Sequence, residues 1–316
     1  MMMKMVLRRI LIGIGTLWVV SVLVFIGTSI LPGDVAQIIL GQSATPETLA
    51  ALRAELGMDR PWFVRYFDWL GNLVTGDLGT SKAGGASISS LISGRLGNTM
   101  FLAGIVAAIS IPISVALGLL AAMYPGTWLD RIVTFATLSL ISVPEFFIAT
   151  FMVLTLAVQL HWLPAIAYLS GNETGWQLAR ALAMPVITLV IVVSAQMIRM
   201  TRAGILNVMN SPYIEMAILK GVPRRRIILR HALFNAIGPI VNVIALNLAY
   251  LVSGVVIVET IFAYPGLAKL MIDGVQTRDL PLVQACAIIF CATYVVLILI
   301  ADIASILSNP RLRQPK

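Results

Sequence analysis

Apolar residues fall in long unbroken runs along this chain, without the alternation of a half-buried strand or the narrow stripe of a soluble helix. A helix crossing the hydrocarbon core of a bilayer needs about 20 such residues. Six windows qualify, at about 9–31, 99–123, 133–160, 184–205, 236–258 and 283–307. The first starts after Lys4, Arg8 and Arg9, as a secretory signal does. Its apolar stretch from Ile10 to Leu31 is too long for a cleaved signal and has no clear small-x-small exit, so it is predicted to stay as an anchor. The expected fold class is all-α membrane, with six transmembrane helices.

The segments between the windows are informative in two places. Residues 32–98 are predicted to hold an amphipathic helix that starts at Thr45-Pro46-Glu47 and stops at Gly57. An aromatic helix is expected after it, from Pro61 through Trp69, with Trp62, Tyr66 and Trp69 suited to the headgroup level. The chain therefore divides into residues 1–98, an anchor helix with its loop, and residues 99–316, a five-helix transmembrane domain with a polar loop at 206–235. No internal repeat, low-complexity tract or separate soluble domain is visible.

Composition agrees with the pattern. Of 316 residues, 59% are hydrophobic and 11% charged, and mean hydropathy is +0.95. Soluble domains are nearer 25% charged. The net charge of +8 does not form a nucleic-acid-binding stripe, because the cations cluster in short segments between apolar runs. With the N-terminus in the cytosol, the inner segments hold Lys4, Arg8, Arg9, Arg131, Arg199, Arg202, Lys220, Arg224 to Arg226, Arg230, Arg311, Arg313 and Lys316. Asp130 and Glu215 are the acids among them, so both termini are expected inside. Cys286 and Cys291 lie in one apolar run with no metal-ligand partners nearby and read as small buried hydrophobes.

The inner loop carries the sharpest local signal. Ser211 can cap a helix, Pro212 suits its first position, and Glu215 lies near the positive end of the dipole. Lys220, Gly221 and Pro223 end it. Tyr213, Ile214, Ala217 and Ile218 form an apolar stripe at helical spacing. A rod this short is marginal alone. It either enters a cleft on a partner and passes a push to the flanking spans, or lies on the membrane with its cations on anionic lipid. Spacing alone leaves both readings open.

Glu215-Met216-Ala217, Gly221 and Leu233 resemble the cytosolic loop signature of permease subunits of binding-protein-dependent ABC importers. The signature usually has Ala at the position of Met216, Ile at His231 and Pro at Phe234. Further segments resemble the dipeptide/oligopeptide branch: Leu31-Pro32-Gly33-Asp34, Leu56-Gly57-Met58-Asp59-Arg60-Pro61, Tyr66-x-x-Trp69-Leu70 and Gly76-Asp77-Leu78-Gly79-Thr80-Ser81. Arg230-His231-Ala232-Leu233, Val258-Glu259-Thr260-Ile261-Phe262-x-Tyr264-Pro265-Gly266, Arg278-Asp279-Leu280-Pro281 and Asn309-Pro310-Arg311-Leu312-Arg313 complete the series, nearly end to end.

The resemblance implies the type I ABC importer permease fold, in the bacterial inner membrane, with a short cytosolic coupling helix around Glu215–Gly221. Tyr213, Ile214, Glu215, Ala217, Ile218 and Gly221 are then the residues that meet the ATPase. It also implies a second, similar permease subunit, two ATPase subunits and a periplasmic solute-binding protein. No Gly-x-x-x-x-Gly-Lys-Ser/Thr loop occurs here, so ATP and Mg are assigned to the partners and no cofactor to this chain.

Other polar residues keep two readings each. Glu145 follows Pro144 inside a window, as a pathway-lining group at a broken helix or as a structural partner for a neighbouring span. Asn247 can face a pore or bond across helices, and Glu259 can border the pore mouth or hold an interfacial turn. Asp302 is expected to pair with a nearby cation. No catalytic constellation is present. The rival class, an ion-coupled secondary transporter, would need paired intramembrane acids and broken helices in both halves, and Glu145 alone looks central. The transported solute is not written in this chain.

Overall fold

In lipid every backbone polar group must be satisfied within the segment, which leaves helices as the economical solution for apolar runs of this length. The computed structural model describes residues 2–30, 44–55, 59–168 and 173–308. Twelve helices of useful length follow in order among them. They are α1 (Met2–Ile30), α2 (Pro46–Glu55), α3 (Trp62–Thr75), α4 (Ile88–Met123), α5 (Trp128–Ser142), α6 (Glu145–Met152) and α7 (Gly175–Met209). Then come α8 (Pro212–Leu219), α9 (Leu233–Gly254), α10 (Val256–Ile261), α11 (Leu267–Gln276) and α12 (Leu280–Ser308). Among the described residues, five helical stretches are long and apolar enough to cross a membrane: residues 6–30, 88–123, 175–209, 235–261 and 280–300.

The remaining window, expected as one span over 133–160, is a broken pair. Val143 is extended and Pro144 opens α6, so α5 and the segment Glu145–Gln159 meet at a bend of 95°. Pro144 cannot donate an amide to the preceding turn. Counted as one span, the pair brings the total to six. Leu31 to Asp34, Leu56 to Met58, including the Gly57 stop signal, and Asn309 to Arg313 lie outside the described residues.

Two compact units share the long helices. One comprises residues 1–10, 100–264 and 294–316. Its axis is α7, which packs against α5, α6 and α9. Sixty-one per cent of the apolar window of α7 is buried, against 11% for α1, which marks α7 as the core helix and leaves α1 largely exposed. Leu102 and Val106 of α4, Leu189, Val193 and Met197 of α7, and Leu251 of α9 form the centre. Near the start of the 206–235 loop a second cluster joins Ala122, Ile205, Ile228, Ala232, Ala236 and Ile240. Arg9 of this unit donates to Asp302 at 2.6 Å, the cation expected for that acid.

The other unit comprises residues 11–99 and 265–293. Thr45 and Thr48 cap each other's backbone amides at the start of α2, as its start signal predicts. The aromatic helix α3 runs to Gly76, whose φ of 84° ends it, about two turns beyond the expected limit. Tyr66 packs edge-on to Phe25 of α1 with ring centroids 5.4 Å apart, and its hydroxyl meets Ser21 at 2.8 Å. Asp279 ties distant segments together. Its carboxylate accepts from the Ser81 hydroxyl at 2.5 Å and from the amides of Ala83 and Leu282. The two motifs Gly76–Ser81 and Arg278–Pro281 therefore meet at one buried acid.

Close approach of α4 and α7 depends on a glycine. A Cβ at Gly118 would lie 2.8 Å from the Thr201 Cβ and 2.9 Å from the Ile198 carbonyl oxygen. Gly104, on the same helix, has open space at that position. Overpacking of this kind costs about 1–3 kcal/mol. Gly118→Ala is expected to lower the midpoint of thermal unfolding in detergent, while Gly104→Ala leaves it unchanged or raises it. Equal midpoints for the two variants would contradict a tight crossing at Gly118.

Candidate functional site

The loop between α7 and α9 is built around α8. Pro212 takes the first helical position with a fixed φ. The expected Ser211 cap does not form; its hydroxyl donates instead to the Val208 carbonyl, tying the α8 start to the last turn of α7. The far end closes as the sequence predicts. Gly221 has a φ of 72°, its amide bonds to the Ile218 carbonyl at 2.9 Å, and the Val222 amide bonds to the Ala217 carbonyl at 3.1 Å. That pair of bonds is the Schellman arrangement, which only glycine enters without strain.

The apolar stripe divides. Ile214 is fully buried and Ala217 half-buried, whereas Tyr213 and Ile218 stay exposed on its flanks. Met216 and Leu219, 55% and 76% exposed, continue the apolar surface away from the body, with exposed Glu215 next to Leu219 on the helix. α8 rests on α7 and on the π-helical turn Ile227–Ala232, whose Ile227 and Ile228 are buried. Ile214 alone supplies a fully buried anchor on the helix. The result is a rod fixed on one side and apolar on the other.

The pathway candidates are in different settings. Glu145 opens α6 directly after the bend and is nine-tenths buried. Its Oε2 accepts from the Tyr250 hydroxyl of α9 at 2.6 Å, while Oε1 has no partner among the described residues. Asn247 is half-buried, and its amide donates to the Val243 carbonyl of its own helix at 2.8 Å. Glu259 is fully buried at the end of α10, where its carbonyl accepts from the Tyr264 amide at 2.9 Å. Burial, and after it the Glu259 charge, pushes the Tyr264 phenol well above its ordinary range. Three residues on, the Phe262 carbonyl receives the Ala167 amide at 2.7 Å, so this turn also fixes the segment after the π-helical stretch Val153–Gln159. No group of His, Cys, Asp and Glu able to hold a metal occurs among the described residues.

Residues 114–314 match the family described as binding-protein-dependent transport system inner membrane component. Residues 2–110 match the corresponding N-terminal family of membrane components. The chain belongs to this permease family. Its relatives align over almost their whole length. One is a probable peptide ABC transporter permease of Sinorhizobium fredii, 34% identical over 98% of both chains. Another is a putative peptide transport system permease of Brucella melitensis, 35% identical over 99% of both. A third is the glutathione transport system permease of Escherichia coli K12, 33% identical over 99% of both. The protein is thus a multi-pass inner-membrane permease component of an ABC importer, with the helical permease fold that the sequence predicts.

In this permease one feature of the α8 region was invisible to sequence reading. Arg202, two turns before the end of α7, grips Asp130 of α5 with two bonds, Nε to Oδ1 at 2.6 Å and Nη2 to Oδ2 at 2.9 Å. The same carboxylate accepts the Gly126 amide at 2.9 Å, and the Asp130 side chain is only 6% exposed. Sequence counting treated both residues as topology charges. The only available signal was an acid in a segment otherwise dominated by cations. The bidentate fork fixes the α4–α5 turn against the turn of α7 that leads into α8.

Removing one partner of a buried pair leaves an uncompensated charge, so Arg202→Ala and Asp130→Ala are each expected to destabilise by up to about 3 kcal/mol. The double variant should lose much less than the sum. Thermal unfolding of all four proteins in one detergent measures the cycle, and additive losses would contradict the pairing.

Proposed function

We propose that this permease is one of two membrane-spanning subunits of an ATP-driven importer of peptides or related small solutes. A second, similar permease completes the pore, two ATPase subunits dock from the cytosol, and a periplasmic solute-binding protein delivers the solute. Both termini and α8 face the cytosol, as the distribution of Lys and Arg favours. ATP and Mg stay with the ATPases. Peptide is favoured over other cargo because the Sinorhizobium and Brucella relatives carry that description and the Escherichia coli relative carries the tripeptide glutathione.

The observation that carries this reading is the two-sided character of α8. Ile214 holds the rod to α7 and to the Ile227–Ala232 turn, and Tyr213, Met216, Ile218 and Leu219 offer an apolar face to a cleft on another protein. Exposed Glu215 sits within that face, where a helix lying on anionic lipid would not place an acid. ATPase closure would move the rod, and the Arg202–Asp130 fork would carry the motion to α5 and the bend before Glu145. In this scheme Glu145, Asn247 and Glu259 border the pathway or its gate. A secondary transporter remains without a supporting observation, since Glu145 has no second intramembrane acid among its described partners.

Glu215→Lys and Gly221→Asp test the coupling role. A side chain at Gly221 must enter the left-handed region, at about 1–2 kcal/mol, and so deforms the end of the rod. Both variants should insert at normal levels while ATP-dependent uptake falls to background and the ATPases no longer co-purify. Full uptake with normal ATPase content in both variants would overturn the proposal.

A further inference from the structure

Four of the segments that carry the family resemblance are left without a role by coupling and transport, and they line one cavity. It measures about 420 Å³ and lies wholly within the unit of residues 11–99 and 265–293. Arg60, Trp69, Asp77 to Thr80, and Leu280 with Pro281 are in its wall, one contribution from each segment. The floor is apolar and aromatic, from Phe25, Trp69 and Leu73. Beside it a second, almost entirely apolar chamber of about 250 Å³ shares Phe25 and continues along α1 past Ile26 and Ile30 to Trp62.

Three cations reach the larger chamber, and they differ in their commitments. Arg60 is shared with Asp68 at 3.3 Å. Arg65 lies 5.9 Å above the Phe25 ring and has no carboxylate partner among the described residues. Lys82 likewise has no ion pair among them. Two cations without an ion pair, one of them over the Phe25 ring, line the chamber and fit a phosphodiester, and the adjoining chamber fits the start of a hydrocarbon chain. Both chambers sit where the spanning helices α1 and α12 reach their ends, and exposed Trp62, Phe63 and Phe67 mark a headgroup-level belt.

We propose that this cavity is a binding site for a glycerophospholipid, with the phosphate between Arg65 and Lys82 and an acyl chain against Phe25, Ile26 and Trp62. A free peptide or inorganic phosphate would use the polar chamber and leave the apolar one empty, which is why a lipid is the better fit. The bound lipid would fill the space between α1, α3 and the start of α12. The site holds in either leaflet and so stands apart from the orientation and the coupling role proposed above.

The test uses the full-length chain in vesicles of phosphatidylethanolamine and phosphatidylglycerol doped with a phosphatidylglycerol carrying a photoreactive group near the top of its acyl chain. Adducts are mapped by peptide mass spectrometry. Labelling is expected on residues 25–30 and 62–69, and Arg65→Ala with Lys82→Ala should lower it roughly thirtyfold, as loss of two phosphate-facing cations does. Labelling of the exposed Phe147 and Phe151 of α6 should be unchanged, and Arg65→Lys with Lys82→Arg should restore the lost adducts. Unchanged labelling in the alanine pair, equal labelling by a photoreactive diacylglycerol without phosphate, or displacement by millimolar inorganic phosphate or dipeptide would overturn the lipid site.

Discussion

An eight-residue helix does not persist in water by its own backbone bonds, because nucleation costs more than two turns return. What α8 can do therefore depends on the burial of Ile214 against α7 and Ile227–Ala232. Full burial of one isoleucine is worth about 1.5–3 kcal/mol, of the same order as the roughly 4 kcal/mol that nucleating a helix costs. Pro212 reduces that cost by fixing φ at the start, and Gly221 reduces it by closing the end without strain. The polar bonds at its ends set its limits, and Ile214 sets its position. Because one residue anchors it, the remaining apolar side chains are free to face outward.

The neighbourhood of α8 combines stiff and irregular parts. At Gly118 the backbones of α4 and α7 approach too closely for another side chain, and Arg202 holds Asp130 through a two-bond fork close by in sequence to Thr201. Interfaces of this kind move as blocks, since close-packed contacts do not deform continuously. The regular helix is interrupted elsewhere, at the 95° bend around Val143 and Pro144 and in the π-helical turn that supports α8. π-helical turns relax the regular hydrogen-bond ladder. In the proposed mechanism force enters at an exposed apolar face, passes through a rigid joint, and is released at the bend beside Glu145.

Local features were legible because local chemistry determines them. The apolar windows, the Thr45 start of α2, and the Pro212 and Gly221 limits of α8 all follow from spacing and backbone preference. Ser211 was misread as a cap because its hydroxyl has a second acceptor available in the preceding turn, at Val208. Spacing reads the stripe on α8 as turned to a partner's cleft or to the membrane, whereas the body below takes up Ile214 and part of Ala217. Tyr213 and Ile218 flank that contact and remain exposed. Pairings across long sequence distances leave no periodic trace. Asp130 meets Arg202 and Ser81 meets Asp279 over 72 and 198 residues, so both look like isolated polar positions until the helices are assembled. The bend at Pro144 was visible as a proline, but its angle depends on packing of α6 against α7.

The most direct measurement is site-specific photo-crosslinking from Met216 and Leu219 in the assembled importer, run without nucleotide, with ATP and with a trapped hydrolysis state. The account predicts adducts to the ATPase subunit from both positions, with yields that change between nucleotide states, and none from exposed Phe135 in the α5 span. Adducts to lipid alone from Met216 and Leu219, in every nucleotide state, would contradict it.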